Sequence, residues 1–317
     1  MPTTPSATRR RTAIGLSALL TVPFLRPARA TTAAAPAASA SGIAASHIAA
    51  LAAIESRHGG RLGVFARDTA GEGTLAWRAD ERFTLCSTFK GLLAALILAR
   101  AAAGQDDLAQ PIAYTARDLA RAGYPDFACP VTAARLGDRP RESMTVGELC
   151  QAAVEASDNL AAILLMRRAG GPAGLTRFVR TLGDATTRID RYEPDANAYR
   201  GALDTTTPRA IVATTRAILL GNALPPPARA RLESWMVAAR PGRNRLRAAL
   251  PPDWIAGDRP GTYGPEETND IALVHPPGRA PLLVAAYYHA PTVPPAEREA
   301  VLRQVGAVFV DWAVSSR

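Results

Sequence analysis

The spacing of apolar residues changes character along the chain. Ile48, Leu51 and Ile54 recur at helical intervals and predict a short amphipathic helix over His47 to Glu55. Arg61 to Ala66 alternates, placing Leu62, Val64 and Ala66 on one face of a strand, and Thr74 to Arg78 is expected to pair with it. From Ser87 the period turns helical through Leu98, and helical segments dominate to about Ala239. Within that stretch Thr145 and Glu148 spell a capping box, Gly170-Gly171 closes a helix, and Pro208 sits where a first-turn proline belongs. Alternation returns after Pro251, and Trp254 to Thr262, Asp270 to His275 and Pro281 to Tyr288 read as three strands. A last helix over Ala296 to Ser315 is expected to pack through Val301, Val305, Val308 and Trp312.

This order predicts an α/β (α+β) fold. Residues 46–84 and 240–317 are expected to join in an antiparallel five-stranded sheet carrying the N- and C-terminal helices. Residues 85–239 would form an all-helical lobe, and the cleft between the two parts is the natural place for a small-molecule site. No internal repeat is present.

Composition alters this picture chiefly at the amino terminus. Arg9-Arg10-Arg11 precede an apolar run from Ala13 to Leu25, and Ala28-Arg29-Ala30 has the small-x-small form of a cleavage site. Residues 1–30 therefore read as a secretory signal of the twin-arginine kind, with a disordered tail as the alternative, and the chain is expected to be periplasmic or secreted. The apolar run is shorter than the roughly 20 residues of a membrane-spanning helix, and no cysteine follows it for a lipid anchor. Residues 31–45, rich in Ala, Ser and Pro, read as a flexible leader. The formal net charge of +9 includes five arginines and no acids from residues 1–30, so +4 remains and nothing points to nucleic acid. Three cysteines (86, 129, 150) and four scattered histidines lack zinc-binding spacing, so neither metal nor cofactor is expected. One disulfide is possible after export, leaving at least one free thiol.

Among 37 basic residues the only lysine is Lys90, three residues after Ser87 in Cys86-Ser87-Thr88-Phe89-Lys90. Arginine keeps its proton at any workable pH, whereas a buried lysine can lose it, so Lys90 is a candidate base for the Ser87 hydroxyl one helical turn away. Ala156-Ser157-Asp158-Asn159-Leu160 forms a polar break between helices, where a hydroxyl and an amide can move a proton and hold a substrate amide. The segment Arg188 to Asn197 offers Glu193 and Asn197 to fix one water, with Arg191 and Asp204 available to close the loop. Each feature also has an ordinary reading: a solvated lysine, a helix-capping turn, a charged surface loop.

Taken together, Ser87-Thr88-Phe89-Lys90, Ser157-Asp158-Asn159 and Glu193-Pro194-Asp195-Ala196-Asn197 resemble the class A serine β-lactamases, within the larger β-lactamase and penicillin-binding family. The resemblance continues through Met144–Asn159, Thr205–Ala210 and Thr268–Pro277, and spans about residues 46–315. It implies that Ser87 is acylated by the lactam carbonyl, with Lys90 as base either directly or together with Glu193 through water. It implies further that Ser157 relays a proton to the leaving nitrogen, Asn159 holds the substrate side-chain amide, and Glu193 with Asn197 activates the hydrolytic water. The backbone N–H groups of Ser87 and Thr262 would form the oxyanion hole, and the Glu193-Pro194 bond would be cis. The implied enzyme is a cofactor-free monomer acting on a small β-lactam. Because the acylating groups are shared, a D,D-peptidase or a β-lactam sensor that hydrolyses slowly remains the alternative.

The sequence departs from that pattern in three places. Where the family has Lys-Thr-Gly, this chain reads Arg259-Pro260-Gly261, and Pro260 has neither hydroxyl nor N–H to offer. Substrate carboxylate recognition is therefore expected to rest on Arg259, Ser157 and Arg245. The stretch from Asn197 to Asp204 is about two residues short. The family's disulfide partners fall at Tyr263 for Cys86 and Ala94 for Cys150, so both cysteines are expected to be free.

Overall fold

The computed structural model describes residues 40–315 apart from Pro265. The expected signal over 1–30 and the leader as far as residue 39 lie outside the described residues. In chain order, helix α1 (Ala40–His58) leads into strands β1 (Arg61–Asp68), β2 (Thr74–Trp77) and β3 (Phe83–Thr84), then α2 (Phe89–Ala102) and β4 (Pro111–Thr115). Next come α3 (Ala116–Arg121), α4 (Pro130–Leu136), β5 (Arg141–Thr145), α5 (Val146–Glu155), α6 (Asn159–Arg168) and α7 (Gly171–Thr181). The chain continues through β6 (Thr205–Thr206), α8 (Pro208–Leu219), α9 (Pro226–Val237), β7 (Ile255–Asp258) and β8 (Gly261–Tyr263). It ends with β9 (Glu267–His275), β10 (Leu282–His289) and α10 (Pro295–Ser315).

The antiparallel sheet has the order β2-β1-β10-β9-β7, and β8 also pairs with β9. Side chains of a strand alternate between faces, and both faces of this sheet are covered. Leu62, Val64 and Ala66 of β1, Ala272 and Val274 of β9, and Val284 and Ala286 of β10 pack with α1 and α10. The intervening Phe65, Ile271, Leu273, Leu283, Ala285 and Tyr287 join the core built on α2, α5, α6 and α8. Helix α2 is buried along Phe89, Lys90 and Leu92 to Leu98, the condition of a helix that is apolar nearly all round.

Several expectations need correction. The strand expected over Trp254 to Thr262 breaks into β7 and β8 at Arg259-Pro260, giving six strands instead of five. Proline has no N–H to give a ladder, so pairing stops there. The segment expected to be all-helical carries one small ladder, β4 with β5, and a short strand, β6, that pairs with β3 just outside it. Helix α1 begins at Ala40, inside the expected leader, and Ile48 of its expected apolar face is exposed while Leu51 and Ile54 are buried. The capping box stands as expected, with Thr145 Oγ1 accepting from Glu148 N at 3.1 Å and Glu148 Oε2 accepting from Thr145 N at 2.7 Å.

Candidate active site

Ser87 lies in a single 3-10 turn, Cys86–Thr88, that feeds α2, and Cys86 enters it with a positive φ of 46°. One helical turn on, Lys90 is fully buried among the apolar side chains of α2. Its ammonium donates to Ser157 O at 2.9 Å, to Asn159 Oδ1 at 2.5 Å and to Ser157 Oγ at 3.4 Å. It also lies 3.2 Å from Glu193 Oε1. Ser87 Oγ donates to that same carboxylate oxygen at 3.4 Å, so Glu193 bridges Ser87 and Lys90. Burial pulls the Lys90 pKa below the ordinary lysine value, the Glu193 carboxylate pushes back, and the Arg259 guanidinium adds to the lowering.

The Ser157-Asp158-Asn159 break divides its labour. Asp158 is a structural tie: it is fully buried, caps α6 by accepting from Ala161 N at 2.9 Å, and accepts from Val131 N and Thr132 N at the start of α4. That is the ordinary capping role, and it holds Ser157 at a positive φ of 56° with its side chain and carbonyl turned to Lys90. Asn159, also buried, faces the same ammonium.

Glu193 and Asn197 are both buried, and the Glu193-Pro194 bond is cis. Asn197 Nδ2 donates to Glu193 Oε2 and to Pro194 O, while Asn197 Oδ1 is buried without a partner. Although the following stretch is short, the loop is closed at its base. Arg191 Nε donates to Asp204 Oδ2 at 2.6 Å, and Asp204 Oδ1 accepts from Asp190 N at 2.8 Å and Arg191 N at 2.9 Å.

Strand β8 runs against the Cys86–Thr88 turn. A Cβ on Gly261 would stand 2.9 Å from Leu85 O and 3.1 Å from Cys86 Cβ, so only glycine permits this approach. Arg259, expected to take part in carboxylate recognition, is 1 % exposed, and each of its nitrogens is engaged by the protein. Nε donates to Ser87 O at 3.1 Å, Nη1 to Val154 O at 2.9 Å and Nη2 to Ser157 Oγ at 2.6 Å. Burial holds its pKa down at about 10. Pro260 packs against Gly242, a positive-φ glycine that has no room for a side chain. Arg245 reaches the mouth of the site, donating from Nη2 to the exposed Thr262 at Oγ1 (2.6 Å) and from Nη1 to Gly261 O (3.0 Å).

All ten residues singled out from the sequence thus belong to one assembly, with Thr262 exposed at its rim and Arg245 buried behind it. Sequence reasoning missed the supports. Glu299 of α10 lies 3.2 Å from Arg245 Nη2, and Arg247 pairs with Asp258 behind Arg259. Burial pushes the Asp258 carboxyl up to about 6. These partners are distant in sequence and carry no local motif; only the run Asn269-Asp270 within an apolar strand hinted at polar groups inside. The three cysteines are free and buried, as expected for Cys86 and Cys150, and burial pushes the Cys129 thiol to about 11.

Comparison with known proteins agrees with this geometry. Residues 45–313 match the model of the beta-lactamase enzyme family. The chain is 44 % identical over 254 residues to the carbapenem-hydrolyzing beta-lactamase KPC of Klebsiella oxytoca, covering 79 % of this chain and 83 % of that one. A crystal structure of a β-lactamase from Burkholderia vietnamiensis is 57 % identical with a TM-score of 0.81, over 86 % of this chain and 97 % of that chain. An ancestral class A β-lactamase is 49 % identical with a TM-score of 0.78, over 84 % and 99 %. With a buried Ser87–Lys90–Glu193 cluster and likeness over this much of its length, the chain belongs to the class A serine β-lactamases.

Proposed function

We propose that the chain hydrolyses β-lactams through an acyl-enzyme on Ser87, and that Glu193 activates the water that releases it. The observation carrying this reading is Glu193 Oε1, within 3.4 Å of Ser87 Oγ and 3.2 Å of Lys90 Nζ. In acylation the Ser87 oxygen bonds to the lactam carbonyl carbon, and its proton passes to neutral Lys90. The ring C–N bond then breaks, and Ser157, hydrogen-bonded to Arg259 and facing Lys90, delivers its proton to the nitrogen while taking the one held by Lys90, which returns to neutral. Arg259 acts through Ser157 and through the field at Lys90, and substrate carboxylate is left to Ser157 and the exposed Thr262, whose hydroxyl the buried Arg245 holds from behind. Asn159 holds the substrate amide, and the N–H groups of Ser87 and Thr262 receive the oxyanion.

In deacylation a water oxygen bonds to the acyl carbon and its proton goes to Glu193; the bond to Ser87 then breaks and the Ser87 oxygen takes that proton back from Glu193, restoring both groups. The unpartnered, buried Asn197 Oδ1 beside Glu193 supports a water position, since buried polar atoms are normally satisfied. The proposed site lies between the part formed by 46–84 and 240–317 and the part formed by 85–239. One chain supplies every side chain the reaction needs, which fits a monomer. Residues 1–30 are proposed to export the enzyme to the periplasm or beyond by the twin-arginine route. No helix among the described residues is long and apolar enough to cross a membrane. Steady-state turnover of nitrocefin and benzylpenicillin tests the activity: hydrolysis by the folded wild type is expected, and a stoichiometric, lasting adduct without turnover would favour the sensor reading instead.

A further inference from the structure

The end of the central sheet assembles a cluster that the chemistry above does not use. Glu267 of β9 and His289 of β10 are directly opposed in the ladder, and Glu266 precedes them where its carbonyl accepts from Ala290 N at 2.8 Å. Glu266, Glu267 and His289 each bring a ligand-type atom within 4.8 Å of the other two. Glu267 is 1 % exposed; its Oε1 accepts from Thr84 Oγ1 at 3.2 Å and lies 2.8 Å from His289 Nδ1. Its other oxygen, Oε2, is buried with no hydrogen-bond partner. A carboxylate oxygen stripped of water and given no donor is costly, and a cation relieves that cost. Neither neighbouring arginine gives that oxygen a hydrogen bond: Arg61 donates to Glu81 and to Arg82 O, and Arg298, whose charge acts on Glu267 from further off, donates to Thr268 Oγ1 and Gly264 O.

We propose that Glu266, Glu267 and His289 form a divalent-metal site of the Zn2+ type, with one imidazole nitrogen and one oxygen from each glutamate. A nitrogen-plus-carboxylate set suits Zn2+, whereas Ca2+ and Mg2+ take oxygen ligands. Tetrahedral zinc needs ligand atoms roughly 3.3 Å apart, so the three side chains close by small rotations around the ion, and water supplies the fourth ligand. The sequence concealed this cluster because strand pairing, not local spacing, joins residues 22 positions apart. Its location gives it a consequence. Thr84 lies on the strand entering the nucleophile turn, and the Tyr199 ring, just beyond Asn197, has its centroid 6.0 Å from that of His289. The ion would therefore staple the segments that carry Ser87 and Glu193, whatever reaction they perform.

The test uses untagged protein stripped with EDTA and desalted, titrated calorimetrically with ZnCl2 and melted with and without it. The wild type is expected to take up one equivalent and to melt at a higher temperature with zinc. His289→Ala and Glu266→Gln, the latter at a half-exposed position, are each expected to weaken uptake by at least about tenfold while remaining folded by circular dichroism. No saturable uptake up to about 1 mM, uptake unchanged in either variant, or an equal response to MgCl2 would overturn the assignment.

Discussion

At Lys90 and Arg259 the chain separates two requirements that positive side chains usually blur. Arg259 is wholly engaged with protein groups and needs only to stay charged. In the proposed reaction Lys90 has to give up its proton, and its burial in an apolar helix lowers its pKa in that direction. Lys90→Arg should therefore lower the acylation rate by at least about 10²–10⁴-fold, the range of a lost general base, with the melting temperature and far-UV spectrum retained; single-turnover acylation kinetics check this. A pH profile tests the same residue. With Lys90 as the proposed base, only its neutral form accepts the Ser87 proton, so the acylation rate is expected to rise with pH through the lysine pKa. Glu193 raises that pKa, so Glu193→Gln should keep acylating while its acid limb moves to lower pH. A limb that stays put, or moves up, would contradict Lys90 as the base. The lone lysine made this residue legible in the sequence. Asp158 was less so: nothing local distinguished the cap from the two residues that flank it in the site, because the difference lies in its bonds to Val131 and Thr132.

At the scale of elements, β8 decides how the nucleophile turn is met. The sequence pattern suggested one strand through Thr262, but Pro260 breaks the ladder and Gly261 resumes it in contact with Leu85 and Cys86. Alternation alone cannot reveal such a break, since apolar spacing does not record a missing N–H. Gly261→Ala should push β8 off the turn and displace Thr262 N–H from the carbonyl oxygen. The expected loss in kcat is about 10²–10³-fold, as for one oxyanion donor, with little change in global fold; kinetics alongside circular dichroism would measure it. The stretch from Asn197 to Asp204 is short for this family. Its closure by Arg191 and Asp204, partners already suggested by the residues, accounts for how Glu193 and Asn197 remain buried.

For the molecule as a whole, the strands and terminal helices were legible because period-2 and period-3.6 patterns survive burial on one face. What was not legible follows from pairing across long distances: the β4–β5 ladder, the buried acids behind Arg259, and the Glu266–Glu267–His289 cluster. Burial of all three cysteines gives a global test of packing. The native protein should resist a thiol reagent, and unfolding in guanidinium without reductant should expose three thiols; fewer would mean a disulfide. The central claim, acylation at Ser87 followed by Glu193-assisted release, is tested most directly by intact-mass spectrometry of Glu193→Ala mixed with benzylpenicillin. The account predicts an adduct of one penicillin, mapped to the peptide containing Ser87, that persists for hours in the variant and turns over rapidly in the wild type. Equal turnover in both, or an adduct on another residue, would contradict it.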